Sequence, residues 1–188
     1  KAIQPLLEDA RVRKVGQNLK YDMHVLANHG LTLRGVEHDT LLQSYVLESD
    51  KPHDMDSMAA RHLNTKTITY YDVAGKGVNQ LNFEQVPIER ATEYAAEDAD
   101  ITLRLHQYLY PRVRENSKLD YIYRSIEMPV MEVLFKMERN GVLLNTEVLN
   151  RQSEALGHEM GKLMLKAHEL AGEAFNINST KQIQDILY

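Results

Sequence analysis

Two helical apolar stripes in this chain are each interrupted by an aspartate, and that pattern restricts the fold more than any other feature. In the first, Leu19, Met23 and Leu26 lie on one face and Asp22 falls among them at helical spacing. In the second, Ala91, Tyr94, Asp98, Ile101, Leu105 and Tyr108 share a stripe, and Tyr94 stands one turn before Asp98. An inward carboxylate is costly unless it is paired, hydrogen-bonded or bound to a cation. Asp98 has no basic residue three or four positions away, whereas Asp100 has Arg104, and Glu93 and Glu97 fall on faces expected to be solvated. Asp22 and Asp98 therefore read either as acids hydrogen-bonded to a neighbouring loop or as half of an oxygen-rich site for Mg²⁺ or Mn²⁺.

Around these helices the first half alternates short extended segments with helices. Residues 1–9 read as the back half of a helix and residues 13–16 as a strand. Asn18 is placed to cap a helix that runs to about His29 and stops at Gly30. Residues 31–36 suggest an extended segment before an apolar helix through Thr40 and Leu47. Asp54 is placed to cap a helix over residues 55–63, and residues 67–71 are β-branched and aromatic, the composition of a strand. Pro87 opens the longest helix of this half, expected to end at Pro111. Such alternation predicts an α/β fold.

The polar stretch over residues 112–118 is the linker candidate, dividing a domain over residues 1–117 from one over residues 118–188. Beyond it, Ile126, Val130, Val133, Leu134 and Met137 form a helical stripe ended by Asn140-Gly141. After a short strand over residues 142–144, Asn145 or Thr146 starts a helix of about 25 residues with a narrow apolar seam. Ser179 and Gln182 have capping-box spacing for a last helix. Apolar runs at both ends lead to the expectation that the chain is a piece of something larger.

A net charge of −5 argues against a protein that coats duplex DNA through many phosphate contacts, but not against a carboxylate pocket whose metals supply the positive charge. The chain has no cysteine, which excludes disulfides and thiolate metal sites and fits a reducing cytoplasm. No apolar run approaches the roughly 18 residues that suggest a membrane span. Gly75-Lys76-Gly77 lacks the spacing of a phosphate loop and reads as a turn. His24, His29, His38, His53 and His62 show no metal-site spacing and read as surface or capping residues. Lys162, Lys166 and Lys181 read as a solvated face.

The residues that interrupt the stripes also carry a resemblance. The run from Val15 through Gly16, Gln17, Asn18, Leu19, Lys20 and Tyr21 to Asp22 resembles the second exonuclease motif of the bacterial DNA polymerase I family. Tyr94-Ala95-Ala96-Glu97-Asp98 resembles its third, Tyr-x-x-x-Asp. His53-Asp54-Met55-Asp56-Ser57 and Lys66-Thr67-Ile68-Thr69-Tyr70 add to it. Ile126-Glu127-Met128-Pro129, Glu138-Arg139-Asn140-Gly141-Val142 and Asn178-Ser179-Thr180-Lys181-Gln182 resemble the opening of that family's polymerase domain. Together these motifs cover nearly the whole chain.

The resemblance implies a ribonuclease H-like α/β exonuclease domain lacking its first strands, followed by helices that begin a polymerase thumb. It implies two-metal hydrolysis at a 3′ end with Mg²⁺ or Mn²⁺: Asp98 and Asp22 as metal ligands, and Tyr94 orienting the attacking water. Asn18 and Gln17 would lie at the DNA, and Tyr70 would stack on a base of a single-stranded 3′ end. Partners would be DNA, with primer-template and deoxynucleoside triphosphates engaged only by a longer parent. Two departures stand out. The family's first motif, Asp-x-Glu, does not occur in these 188 residues, so the chain alone is expected to be inactive. Pro52 stands where relatives can carry a basic residue near the phosphates. Two other readings remain: a vestigial exonuclease serving as a structural or single-strand-binding module, and a stand-alone exonuclease of the ribonuclease D type.

Overall fold

The long helix α6 (Ile88–Glu115) organises the first half of the chain. Its stripe of Ile101, Leu105 and Leu109, each at most 1% exposed, packs on Met58 and Ala59, with Leu47, Met55, Leu63 and Tyr108 around them. A second cluster, Val73, Ala74 and Val86, seats Ile68, Ala91 and Tyr94 near the start of the same helix. The computed structural model describes residues 2–188.

Before α6 come α1 (Gln4–Glu8), β1 (Lys14–Gly16), α2 (Leu19–Asn28), β2 (Val36–Asp39) and α3 (Thr40–Leu47). The strands pair in parallel, with Val15 opposite His38 and Gly16 opposite Asp39, so β1–α2–β2 is one crossover unit. Then follow α4 (Met55–Met58), a π-helical turn (Ala59–Leu63) and α5 (Tyr70–Ala74). After α6 come α7 (Ser117–Tyr121), a second π-helical stretch (Ile122–Glu127) and α8 (Met128–Asn140). The α/β class expected from the alternation holds, with helix dominating a small parallel sheet.

Several expectations are corrected. Residues 67–71 form no strand: Thr69 and Asp72 make a reciprocal capping box that starts α5 inside the β-branched run. Pro111 does not end α6, which continues to Glu115 because Val113, fully buried, extends the packed face one turn further. Asn18 stands at the N-terminus of α2 in left-handed conformation (φ 57°), but its side chain makes no cap there. The extended segment expected before α3 is a strand only from Val36 onward. Residues 142–144 form no strand.

The expected helical stripe on α8 is not the buried face. Tyr123 and Met131 are buried, while Val130, Val133, Leu134 and Met137 are between 39% and 61% exposed.

The chain divides into two compact units at Gly141 and Val142. Helices α7 and α8 thus pack with the first unit, beyond the linker read over residues 112–118. Lys20 and His24 of α2 both pair with Glu138 of α8, the histidine at 2.7 Å, and Arg139 donates to Asn28 at 2.6 Å. The second unit, Val142–Tyr188, holds α9 (Thr146–Ala171) and α10 (Thr180–Leu187). Asn145 caps α9 through Val148 N–H, and Ser179 caps α10 through Gln182 N–H. His168 of α9 is tied to the carbonyl of Phe175. Among the described residues no helix is long and apolar enough to cross a membrane.

Candidate active site

An open cleft of about 500 Å³ lies where β1, α2, α4 and α6 meet. It is lined by Val15, Gly16, Gln17, Asp22, Met55, Tyr94, Asp98, Ala99 and Thr102. The two stripe-breaking aspartates therefore share one cleft with Tyr94, although 76 residues separate them in sequence. Their burial differs. Asp22 stands exposed at the mouth, and Asp98 is half-buried with its Oδ1 shut off from solvent.

Asp98 Oδ1 has no hydrogen-bond partner among the described residues. Burial pushes the Asp98 carboxyl above its usual range, the nearby Tyr94 hydroxyl draws it down, and the charges of Asp56 and Glu97 push it up again. Partial desolvation at the cleft mouth raises Asp22 as well, with the Asp39 charge adding to the effect. The Tyr94 hydroxyl, partly desolvated and beside the Asp98 negative charge, is pushed up to about 12 and stays a protonated donor at neutral pH. An orphaned carboxylate oxygen in a cleft shared with a second carboxylate, both made costlier to ionise by their surroundings, is what a hard divalent cation would relieve. No group of three or more potential ligands converges among the described residues, so Asp22 and Asp98 are a partial donor set.

The other expected site residues are placed differently. Gln17 lines the cleft and is also held in place: Nε2 donates to the His53 carbonyl at 2.9 Å, and Oε1 accepts from the Thr40 hydroxyl. It joins the β1–α2 turn to the loop before α4. Asn18 is exposed and borders an adjacent pocket with Lys20, Asp39 and Leu41 rather than the aspartate cleft. Tyr70 is 38% exposed and reaches the cleft through Phe83: the rings of Tyr70 and Phe83 stack at 6.2 Å, and Phe83 meets Tyr94 at 5.9 Å.

Glu97, expected to be solvated, accepts from Ile68 N–H at 2.6 Å and anchors the loop that delivers Tyr70. Asp56 accepts from the Thr67 hydroxyl at 2.6 Å. Lys76, in the turn read from its two glycines, lies 4.7 Å over the Tyr71 ring. His38, expected at the surface or as a cap, is buried against His106, Tyr110 and Tyr123.

Asp39, missed from sequence, is 1% exposed, and its carboxylate accepts four backbone amides. Oδ2 takes Leu19 N–H at 2.7 Å; Oδ1 takes Asn18 N–H at 3.2 Å, Leu41 N–H at 2.9 Å and Leu42 N–H at 3.3 Å. One side chain thus caps α2 and α3 together. The only sequence signal was an aspartate ahead of an apolar helix, which announces the α3 cap and nothing of α2.

Known proteins resemble this chain along its whole length. A family model described as a 3′-5′ exonuclease, that of the A-type DNA polymerases, matches residues 1–114. DNA polymerase I of Pseudomonas aeruginosa is 50% identical over 191 residues, covering 100% of this chain and 21% of the relative. DNA polymerase I of Rhizobium leguminosarum is 43% identical over 187 residues, covering 99% of this chain and 18% of the relative. The chain thus spans about a fifth of the length of these relatives. A solved structure, the POL domain of Pol1 from M. smegmatis in complex with DNA primer-template and dNTP, superposes with a TM-score of 0.67 at 26% identity. The match covers 100% of this chain and 29% of that one. The fold is accordingly the ribonuclease H-like α/β exonuclease fold, and the chain belongs to the 3′-5′ exonuclease family of A-type DNA polymerases.

Proposed function

We propose that this chain is the proofreading exonuclease portion of a bacterial DNA polymerase I together with the first helices of its polymerase portion, with a family boundary near residue 117. The observation that carries this reading is the convergence of Asp22, Tyr94 and Asp98 on one cleft, with one Asp98 oxygen unpartnered.

Asp98 and Asp22 would hold divalent cations, Mg²⁺ or Mn²⁺, and such ions supply charge neutralisation and water activation in phosphodiester hydrolysis. The chain's own groups account for the rest. Tyr94, kept protonated, presents a donor at the cleft wall suited to orienting a water. Tyr70, held by Phe83 and by the Glu97-anchored loop, offers an exposed ring on which the terminal base of a frayed strand would stack. Asn18 stands on the neighbouring surface for contact with the primer end. Gln17 supports the turn through one N–H and its oxygen, and its second amide N–H, at the cleft, would serve DNA contact with Asn18 and Tyr70.

These residues contain no Asp-x-Glu, and with only part of the donor set the 188-residue chain alone is expected to be inactive. DNA with a single-stranded 3′ end would be its substrate in the parent, and primer-template and deoxynucleoside triphosphates those of the polymerase portion.

The test is editing by the full-length protein on a primer with a mispaired 3′ terminus. Removal of the mispair before extension, lost in Asp98→Ala while matched primers are still extended, is the expected result. Extension without any removal by the unaltered protein would favour the vestigial module instead.

A further inference from the structure

Asp22 stands in the first turn of α2, and what fixes the entry to that helix lies behind it. The chain leaves β1 at Gly16, where a Cβ would come within 2.3 Å of the Leu19 side chain, and passes through Asn18 in left-handed conformation before entering α2. The two amides at that corner, Asn18 N–H and Leu19 N–H, both donate to Asp39. Asp39 is opposite Gly16 in the strand pairing and lines no part of the aspartate cleft.

Asp39 is itself held from outside the residues matched by the exonuclease family model. Tyr123, on the π-helical stretch after α7 and fully buried, accepts Asp39 N–H and Gln43 Nε2–H on its hydroxyl, each at 3.1 Å, and contacts His38 Nδ1 at 3.1 Å. With two donors already on the Tyr123 oxygen, its proton goes to His38 Nδ1, and the remaining His38 N–H faces Glu37 at 4.0 Å. Gln43 spends its other N–H on His106 Nδ1 at 3.0 Å. In this arrangement both histidines accept through Nδ1, His38 from the Tyr123 hydroxyl and His106 from the Gln43 amide.

We propose that Asp39 is a positioning residue of the exonuclease centre, setting the Asn18–Asp22 turn through the two α2 amides, and that Tyr123 fixes Asp39 from the polymerase-side helices. This rests on the exonuclease reading above. Asp39→Asn removes the shorter of the two α2 contacts and spares the α3 cap. Its retained oxygen can still serve Asn18, Leu41 and Leu42, whereas its amide nitrogen, placed at Oδ2, sets a donor against Leu19 N–H.

In the full-length protein, Asp39→Asn is expected to lower exonuclease kcat by about a hundredfold, the cost of misplacing a reacting group by an ångström or so. Mn²⁺ affinity should fall with it, and nucleotide incorporation should stay within about twofold of the unaltered protein. Tyr123→Phe should shift the same quantities in the same direction by a smaller factor. Hydrogen exchange supplies a readout independent of activity: amides of residues 16–24 should exchange faster in Asp39→Asn while those of α3 keep their protection.

Unchanged exonuclease activity and unchanged exchange at residues 16–24 would overturn the proposal, as would an equal fall of both activities, which marks general unfolding. If the unaltered full-length protein digests no DNA, the exonuclease reading fails. The exchange pattern then still decides whether Asp39 sets the turn.

Discussion

Acidification should unlock the buried knot at His38, and the size of the effect follows from its surroundings. His38 is 9% exposed, stacks on His106 at 4.5 Å and packs against Tyr110 at 4.2 Å. Burial first, then the neighbouring His106, push it down from 6.5 to about 4, with Glu37 pulling the other way and Arg124 and Arg13 reinforcing the drop. The folded value lies below the unfolded one, so folding favours the neutral ring. The stability this contributes is fully present above about pH 6.5 and is lost as pH falls toward about 4. A tenfold change in proton affinity corresponds to about 1.4 kcal/mol, so the gap between 6.5 and about 4 is on the order of 3 kcal/mol. That is a large fraction of a typical domain's stability.

Urea unfolding of the chain between about pH 7.5 and about pH 4.5, with His38→Asn in parallel, measures it. Asparagine can present an oxygen near the Nδ1 position without titrating, so its stability should be flatter with pH. The comparison is needed because Asp22, Asp39 and Asp98, all raised, change stability in the opposite direction over the same window. Identical pH slopes for the two proteins would refute the reasoning.

Truncation of the α6 core face, for instance Leu105→Ala, should destabilise the first unit by about 2–5 kcal/mol, measured by urea unfolding. Asp98→Asn should leave the metal-free chain as stable as before or more stable, since it removes a half-buried charge with an orphaned oxygen, while Mn²⁺ binding by titration calorimetry becomes weaker. Thr69→Ala should cost about 1 kcal/mol and raise hydrogen exchange in α5, because one capping box starts that helix. Phe83→Ala should loosen Tyr70 and reduce quenching of its fluorescence by single-stranded DNA in the full-length protein, leaving the Asp22 and Asp98 carboxylates in place.

The reactive half of the site was legible in sequence because a helix repeats locally: Asp22 and Asp98 betray themselves by standing where apolar side chains belong. Asp39 was not, because the α2 amides it serves lie about 20 residues away and backbone amides leave no signature in residue type. Tyr123 and Met131 were missed for a different reason. The regular apolar stripe of α8, Val130, Val133, Leu134 and Met137, drew the reading, and that stripe is exposed. Pro111 shows propensity losing to tertiary burial of Val113. The β-branched run at residues 67–71 shows a local cap, Thr69 with Asp72, outweighing strand composition.

The most direct test of the central claim is the release of 3′-terminal nucleotides from a 5′-labelled single strand with Mg²⁺ or Mn²⁺ present. It compares this chain, the full-length protein and its Asp98→Ala variant. The expected result is no release by the chain, release by the full-length protein and none by the variant. Robust digestion by the chain alone, or digestion by the full-length protein that survives Asp98→Ala, would contradict the assignment of Asp22 and Asp98 as half of a two-metal exonuclease site.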